Sequence, residues 1–318
     1  MKAAVVENVN LPPRYADFPE PQAQAGEVMV SVRAAALSQL VRAQASGKHY
    51  SSPTPPFAPG ADGVGVLNNG QRVYFAFPRG PVGAMAERVA VAADCVVAIP
   101  DGIGDLTAAA IANPGMSSWA ALTERAHFKP GEAVLINGAT GASGRLAIQV
   151  AKHLGAGRIV VTGRNPATEP ELLALGADRF IALQQEAQTL LAQLREEIDG
   201  GIDVVLDYLW GPSAEAIMTA ADGHAPGQAA RRIRFVNIGS LGGANIALPA
   251  GALRSSGLEL MGSGLGSVSN AALVRCIGEL LGAVAKADLH VEAIAKPLAQ
   301  VEAVWTDNSL AGRVVFTL

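Results

Sequence analysis

One stretch constrains this chain more than any other. Val134-Leu135-Ile136-Asn137 is an apolar run with strand character, and Gly138-Ala139-Thr140-Gly141-Ala142-Ser143-Gly144 is a glycine-rich turn. Arg145 to Leu154 follows, with Leu146, Val150 and Leu154 four apart on one helical face. Strand, tight turn and helix in that order bring backbone N–H groups to a phosphate and point the positive end of the helix dipole at it. The spacing Ala139-x-Gly141-x-x-Gly144 fits a dinucleotide, with Gly141 allowing close backbone approach and Gly144 close helix–strand packing. The turn is therefore read as a cofactor site formed by Ala139, Thr140, Gly141, Ala142, Ser143 and Gly144 rather than as a structural turn.

A second strand, Arg158 to Thr162, lies at the right distance, and its end discriminates between two cofactors. A carboxylate there would bind a ribose 2′-hydroxyl, whereas a cation accommodates a 2′-phosphate. About 20 residues past the turn the chain reads Thr162-Gly163-Arg164-Asn165, with no acid. A guanidinium can grip phosphate with two parallel hydrogen bonds. NADPH is the expected cofactor, with Gly163, Arg164 and Asn165 at its adenosine end; a solvated surface arginine is the alternative for Arg164. Gly239 and Ser240, after the fifth strand of this region, are expected to meet the cofactor at the carboxyl ends of the sheet.

The rest of the chain frames that site. From about residue 105 onward, apolar strands alternate with helical stretches, the pattern of a doubly wound parallel sheet covered on both faces. Thr107 to Asn113 and Ser117 to Ala126 read as two helices, and Asn270 to Ala287 as one long helix. Before residue 105 the strands are short and separated by Gly, Pro and Asn, as in a β-rich barrel or sandwich. The last thirty or so residues return to β character, ending in Arg313-Val314-Val315-Phe316. Expected boundaries are 1–117 with 285–318 for the β-rich domain, and 118–284 for the nucleotide-binding domain.

Composition excludes several classes. Lys plus Arg number 24 against 28 Asp plus Glu, a net charge of −4, so no nucleic-acid partner is expected. No apolar run is long enough to span a bilayer, and no signal-peptide core forms behind Glu7 and Asn8, so a cytoplasmic location is expected. Cys95 and Cys276 lie far apart and read as two buried, reduced thiols.

These motifs together resemble the medium-chain dehydrogenase/reductase superfamily, and within it the zinc-free quinone-oxidoreductase-like group. The resemblance is carried by Gly26-Glu27-Val28, Pro56-Phe57-Ala58-Pro59-Gly60-Ala61-Asp62-Gly63-Val64-Gly65, Gly70-Gln71-Arg72-Val73, the glycine turn, and Gly312-Arg313-Val314-Val315. It implies a GroES-like catalytic domain built from both chain ends, a Rossmann domain, and a nicotinamide cofactor in the cleft between them. Where the zinc-dependent branch would supply Cys and His, this chain has Ser38 and Ala61, and no metal is expected. The implied chemistry is hydride addition to a small-molecule quinone, enone or enal, whose developing enolate hydrogen bonds can stabilise.

The resemblance also implies polar contacts near the first helix. Ser38 and Tyr50 occupy two of those positions, while Ala43 stands at a third. Ser38 reads as a carbonyl donor or as a cap hydroxyl, and Tyr50 as a proton source or as an aromatic packed under the proline loop. His49 ranks behind Tyr50; His127, His153, His224 and His290 read as structural. Ser117 takes the place of a family Thr beside the nicotinamide, or else caps a helix. Asn308 and Arg313 contact cofactor or substrate by resemblance alone. A homodimer through the edge near Leu258 to Met261 is expected. The rival reading is a non-catalytic NADPH-binding sensor or regulatory protein.

Overall fold

A computed structural model describes residues 1–222, 230–307, 309–310 and 312–318; His224 and Asn308 lie outside the described residues. The chain forms two compact units, one of Met1–Asn113 with Val274–Leu318 and one of Pro114–Leu273. Each is described by itself.

The first unit contains β1 (Lys2–Val5), β2 (Arg14–Asp17), β3 (Glu27–Ala36), α1 (Gln39–Ala45), β4 (Asp62–Leu67), β5 (Arg72–Ala76), β6 (Arg88–Ala92) and β7 (Val96–Ala98). It begins helix α2 (Asp105–Ala120). The second unit runs through β8 (Ala133–Asn137), α3 (Ala142–His153), β9 (Arg158–Gly163), α4 (Glu169–Ala174), β10 (Arg179–Ala182), α5 (Ala187–Gly200), β11 (Val204–Asp207), α6 (Gly211–Ala220), β12 (Arg232–Asn237), α7 (Ala250–Ser255) and β13 (Gly257–Gly262). Helix α8 (Asn270–Ala287) returns the chain to the first unit, which ends with β14 (Ala293–Pro297), α9 (Val301–Thr306) and β15 (Arg313–Thr317).

In the first unit the long strand β3 organises a mostly antiparallel sheet of order β14-β15-β3-β4-β5-β7. Its early residues pair with β6 and its last three with β15, so the C-terminal strand lies against a strand from the first forty residues. Alternation along β3 buries Val30 and Val32 in a core that includes Phe75, Met85 and Phe316. Each such side chain contributes about 1.5–3 kcal/mol on leaving water.

The second unit is a six-stranded sheet of order β10-β9-β8-β11-β12-β13 in which every pairing is parallel. Strands β8 and β11 are buried throughout apart from the first residue of β8, and β12 apart from its two ends, which is why they read as near-continuous apolar runs. The chain winds outward from β8 in one direction and from β11 in the other, so the order reverses between these two strands. Such a switch point leaves a crevice at the carboxyl ends of the strands.

The helices read at 107–113 and 117–126 are continuous: α2 runs through Pro114 to Ala120, and a π-helical turn over Ala121–Arg125 follows it directly. A proline ring removes one N–H and ordinarily breaks a helix. Here the turn around it is secured by side chains: Ser117 Oγ donates to the Pro114 carbonyl at 2.6 Å, Ser118 Oγ to the Gly115 carbonyl at 3.0 Å, and Asn113 Nδ2 to Asp62 at 2.6 Å. The unit boundaries fall within α2 and α8, and the boundaries expected at 117 and 285 lie inside the same two helices.

Candidate functional site

Helix α3 starts at Gly141, whose extended backbone (φ −85°, ψ 169°) provides no side-chain cap. The first N–H groups of the helix, from Ala142 onward, therefore have neither an intrahelical partner nor a capping oxygen. Lys152 stands in its last turn, where a cation complements the dipole. The approach to the amino end is clear, because a Cβ on Gly141 would meet nothing within 4 Å. Gly144 is the opposite case: a Cβ there would lie 2.5 Å from the Ala139 Cα and the Gly138 carbonyl. One glycine keeps the door open and the other seats the helix on the strand.

The turn is held from behind by a row of polar side chains. The register of the parallel sheet places Thr162 of β9, Asn137 of β8, Asp207 of β11 and Asn237 of β12 side by side. Thr162 Oγ1 donates to Asn137 Oδ1 at 2.7 Å, Asn137 Nδ2 donates to Asp207 Oδ1 at 2.8 Å, and Asn237 Nδ2 donates to Asp207 Oδ2 at 3.0 Å. The first three residues are fully buried. Thr162 Oγ1 in turn accepts the Gly138 N–H at 3.1 Å, and Asn237 donates to the Gly239 carbonyl at 2.8 Å. The row thus fixes the loops that leave β8 and β12.

Asp207 also governs the loop leaving β11. It accepts the backbone N–H groups of Leu209 and Trp210, each at 3.0 Å, and pairs with no cation among the described residues. Trp210 sits at φ 59°, a conformation that bulky residues rarely adopt, and Gly211 follows at φ 58°. The three loops interlock at distances only glycine allows. A Cβ on Gly138 would strike the Leu209 side chain at 2.7 Å, one on Gly239 the Tyr208 carbonyl at 2.7 Å, and one on Gly211 the Gly242 carbonyl at 2.7 Å.

Tyr208 is buried in this floor, its hydroxyl 3.2 Å from Ser117 Oγ. Burial pushes its pKa up to about 12, against the opposing effect of hydrogen bonding with Ser117 and Ser118. At the other end, Gly163 is buried at the end of β9, while Arg164 and Asn165 are exposed after it. Asn165 caps the following turn by accepting the Ala167 N–H at 3.1 Å. Arg164 forms no ion pair with a described residue. Ser240 is exposed and Gly239 half-buried beyond β12. Thus the sequence-expected cofactor residues 139–144, 163–165, Ser117, Gly239 and Ser240 all lie in one unit, and all but Ser117 stand at or after the carboxyl ends of its strands.

Ser38, Tyr50 and Arg313 belong to the other unit. Ser38 Oγ accepts the Val41 N–H at 3.1 Å, capping α1. Tyr50 is 77% exposed rather than packed beneath the proline loop, its ring stacked 4.1 Å from that of His49. Partial burial pushes the His49 pKa down. The Arg313 guanidinium turns toward Asp62 and Tyr74, with its Nε and Nη2 buried and without a hydrogen-bond partner among the described residues. Desolvation raises the Asp62 and Tyr74 pKa values and lowers that of Arg313, each against the pull of the neighbouring opposite charge where there is one. Arg313 is therefore part of a buried polar cluster in its own unit. Among the described residues no group of three or more His, Cys, Asp or Glu side chains could hold a metal ion, and no helix is long and apolar enough to cross a membrane.

Sequence reasoning missed Asn137, Thr162, Asp207, Asn237 and Tyr208. The available signal was a polar residue at or near the end of each of four apolar strands.

Comparison with known proteins agrees with this architecture. The family model described as zinc-binding dehydrogenase matches residues 142–277. The chain is 28% identical to a probable NADPH-dependent quinone reductase of Emericella nidulans over 99% of each chain. It is also 28% identical to a quinone oxidoreductase of Pseudomonas aeruginosa, over 94% of this chain and 92% of the relative. Among solved structures, the quinone oxidoreductase of Thermus thermophilus, determined alone and with NADPH, superposes with a TM-score of 0.80 at 29% identity over the whole of both chains. In its switch-point sheet, its uncapped glycine turn and its full-length relatives, this chain is similar to the quinone-oxidoreductase-like group of the medium-chain dehydrogenase/reductase superfamily.

Proposed function

We propose that the protein is an NADPH-dependent, zinc-independent reductase that delivers hydride to a quinone or an α,β-unsaturated carbonyl compound. The observation that carries this reading is the uncapped amino end of α3 at Gly141 in the same unit as Arg164 after β9, which is exposed and forms no ion pair with a described residue. A pyrophosphate satisfies the first, and a 2′-phosphate the second. The names of the full-length relatives support the same cofactor and substrate class.

When bound, NADPH supplies the hydride; the chain binds and orients. Residues 139–144 cradle the pyrophosphate, Gly163, Arg164 and Asn165 hold the adenosine end, and Ser117, Gly239 and Ser240 line the nicotinamide end. Ser38 retains its hydroxyl hydrogen after capping α1, and it donates to the substrate carbonyl. Tyr50 is the proton source for the resulting enolate. Arg313 acts at a remove, by setting the charge around Asp62. Ser38 and Ala61 offer zinc neither thiolate nor imidazole. The protein works in the cytoplasm as a homodimer paired along β13, the terminal strand of its sheet.

Steady-state reduction of 1,4-naphthoquinone and cyclohexenone with each cofactor tests the reading. NADPH should exceed NADH at least about tenfold in kcat/KM, and treatment with a chelator should change neither rate. Arg164→Ala should weaken NADPH about tenfold and leave NADH within about twofold. An NADH preference, or tight NADPH binding without turnover of any quinone or enone, would defeat it. Sedimentation of a monomer at micromolar concentration would remove the dimer.

A further inference from the structure

The hydroxyl hydrogens around Tyr208 can be assigned one by one. Ser117 Oγ has a single hydrogen and gives it to the Pro114 carbonyl at 2.6 Å; Ser118 Oγ gives its own to the Gly115 carbonyl at 3.0 Å. With both seryl hydrogens directed to carbonyls, the Tyr208 hydroxyl, 3.2 Å from Ser117 Oγ, is assigned as the donor to these serines. Its hydrogen is spent, and the phenol oxygen has acceptor capacity alone left to offer. Because its proton is held so firmly, this polarity persists across the working pH range.

Topology sets which part of a ligand meets that oxygen. Strand order reverses between β8 and β11. A dinucleotide with its pyrophosphate at α3 and its adenosine phosphate at Arg164, beyond β9, extends the other way, over the carboxyl ends of β11 and β12. Tyr208 follows the last residue of β11, and its backbone is clamped there by Asn137, whose carbonyl accepts the Tyr208 N–H at 3.1 Å. The group arriving at that end is a nicotinamide, whose carboxamide carries N–H donors.

We propose that the Tyr208 hydroxyl, oriented by Ser117, accepts a hydrogen bond from the carboxamide N–H of the bound nicotinamide and so selects cofactors that bear a primary amide. The inference rests on the NADPH reading above and adds a specificity-determining side chain to it.

The test compares NADP⁺ with its 3-acetylpyridine analogue, in which a methyl group replaces the amide nitrogen, by titration calorimetry on the purified protein. Wild type should bind NADP⁺ about tenfold more tightly than the analogue, since a polar acceptor left facing a methyl group is penalised. Tyr208→Phe should bring that ratio to within about twofold of unity while the analogue's own affinity stays within about twofold of wild type. Ser117→Ala keeps the phenol and frees its hydrogen for the carbonyl common to both ligands, so the ratio should fall there too. A ratio preserved in Tyr208→Phe, or both ligands weakened equally, overturns the proposal while NADP⁺ binding by wild type leaves the cofactor reading intact. Absence of saturable NADP⁺ binding by wild type overturns both.

Discussion

Asn137 donates its side-chain amide to Asp207 at 2.8 Å, across two adjacent strands that are 70 residues apart in the chain. Through this one bond the glycine-rich loop after β8 and the loop that carries Tyr208 and Trp210 share a support. Asp207 acts only as an acceptor, so Asp207→Asn would turn an NH₂ group toward at least one of its donors. We expect a loss of about 2–3 kcal/mol in urea unfolding and at least about tenfold weaker NADPH binding. Unchanged affinity in the folded variant would show that the two loops are independent.

The glycine turn offers a paired prediction. Gly144→Ala places a methyl 2.5 Å from backbone atoms that cannot yield, so it should cost about 2–4 kcal/mol. Gly141→Ala enters open space at an unstrained φ of −85°, so melting temperature should hold or rise slightly. Its methyl nonetheless stands where the phosphate approaches, and NADPH affinity should fall. Thermal melts and cofactor titrations on both variants separate the folding role from the binding role.

Tyr208 gives a pH dependence with a definite sign. Its folded pKa of about 12 lies above the ordinary tyrosine value of 10.0, so its stabilisation is complete below pH 10 and disappears as pH rises toward 12. The unfolded chain loses that proton first. Tyr208→Phe should therefore lose less stability between pH 10 and 12 than wild type, by up to about 2 kcal/mol. Parallel denaturation curves for the two proteins over that range would contradict this.

Asp62 and Arg313 form the other buried charge system. Removing either alone leaves a charge in the core without its counterpart, and Asp62→Asn or Arg313→Met should each destabilise by about 3 kcal/mol. The double variant should cost clearly less than the two together, because the charges that need each other are both gone. Additive losses in a denaturation cycle would mean that the two groups do not interact.

Local physics made much of this protein readable. The apolar runs of β8 and β9, the period of α3, and a turn needing close backbone approach are each written within a dozen residues, because sterics and burial act over that range. Arg164 in place of an acid was legible for the same reason. The fold class followed from alternation of strand and helix, and α8 from its apolar face. Tertiary structure alone decided the rest. It carried α2 through Pro114, aligned Thr162, Asn137, Asp207 and Asn237 in one row, and brought Tyr208 to Ser117. It also left Tyr50 on the surface and turned Arg313 inward. These outcomes depend on sheet register and on which distant partner satisfies a buried donor, and no local pattern encodes the pairing of residues 25 to 91 positions apart.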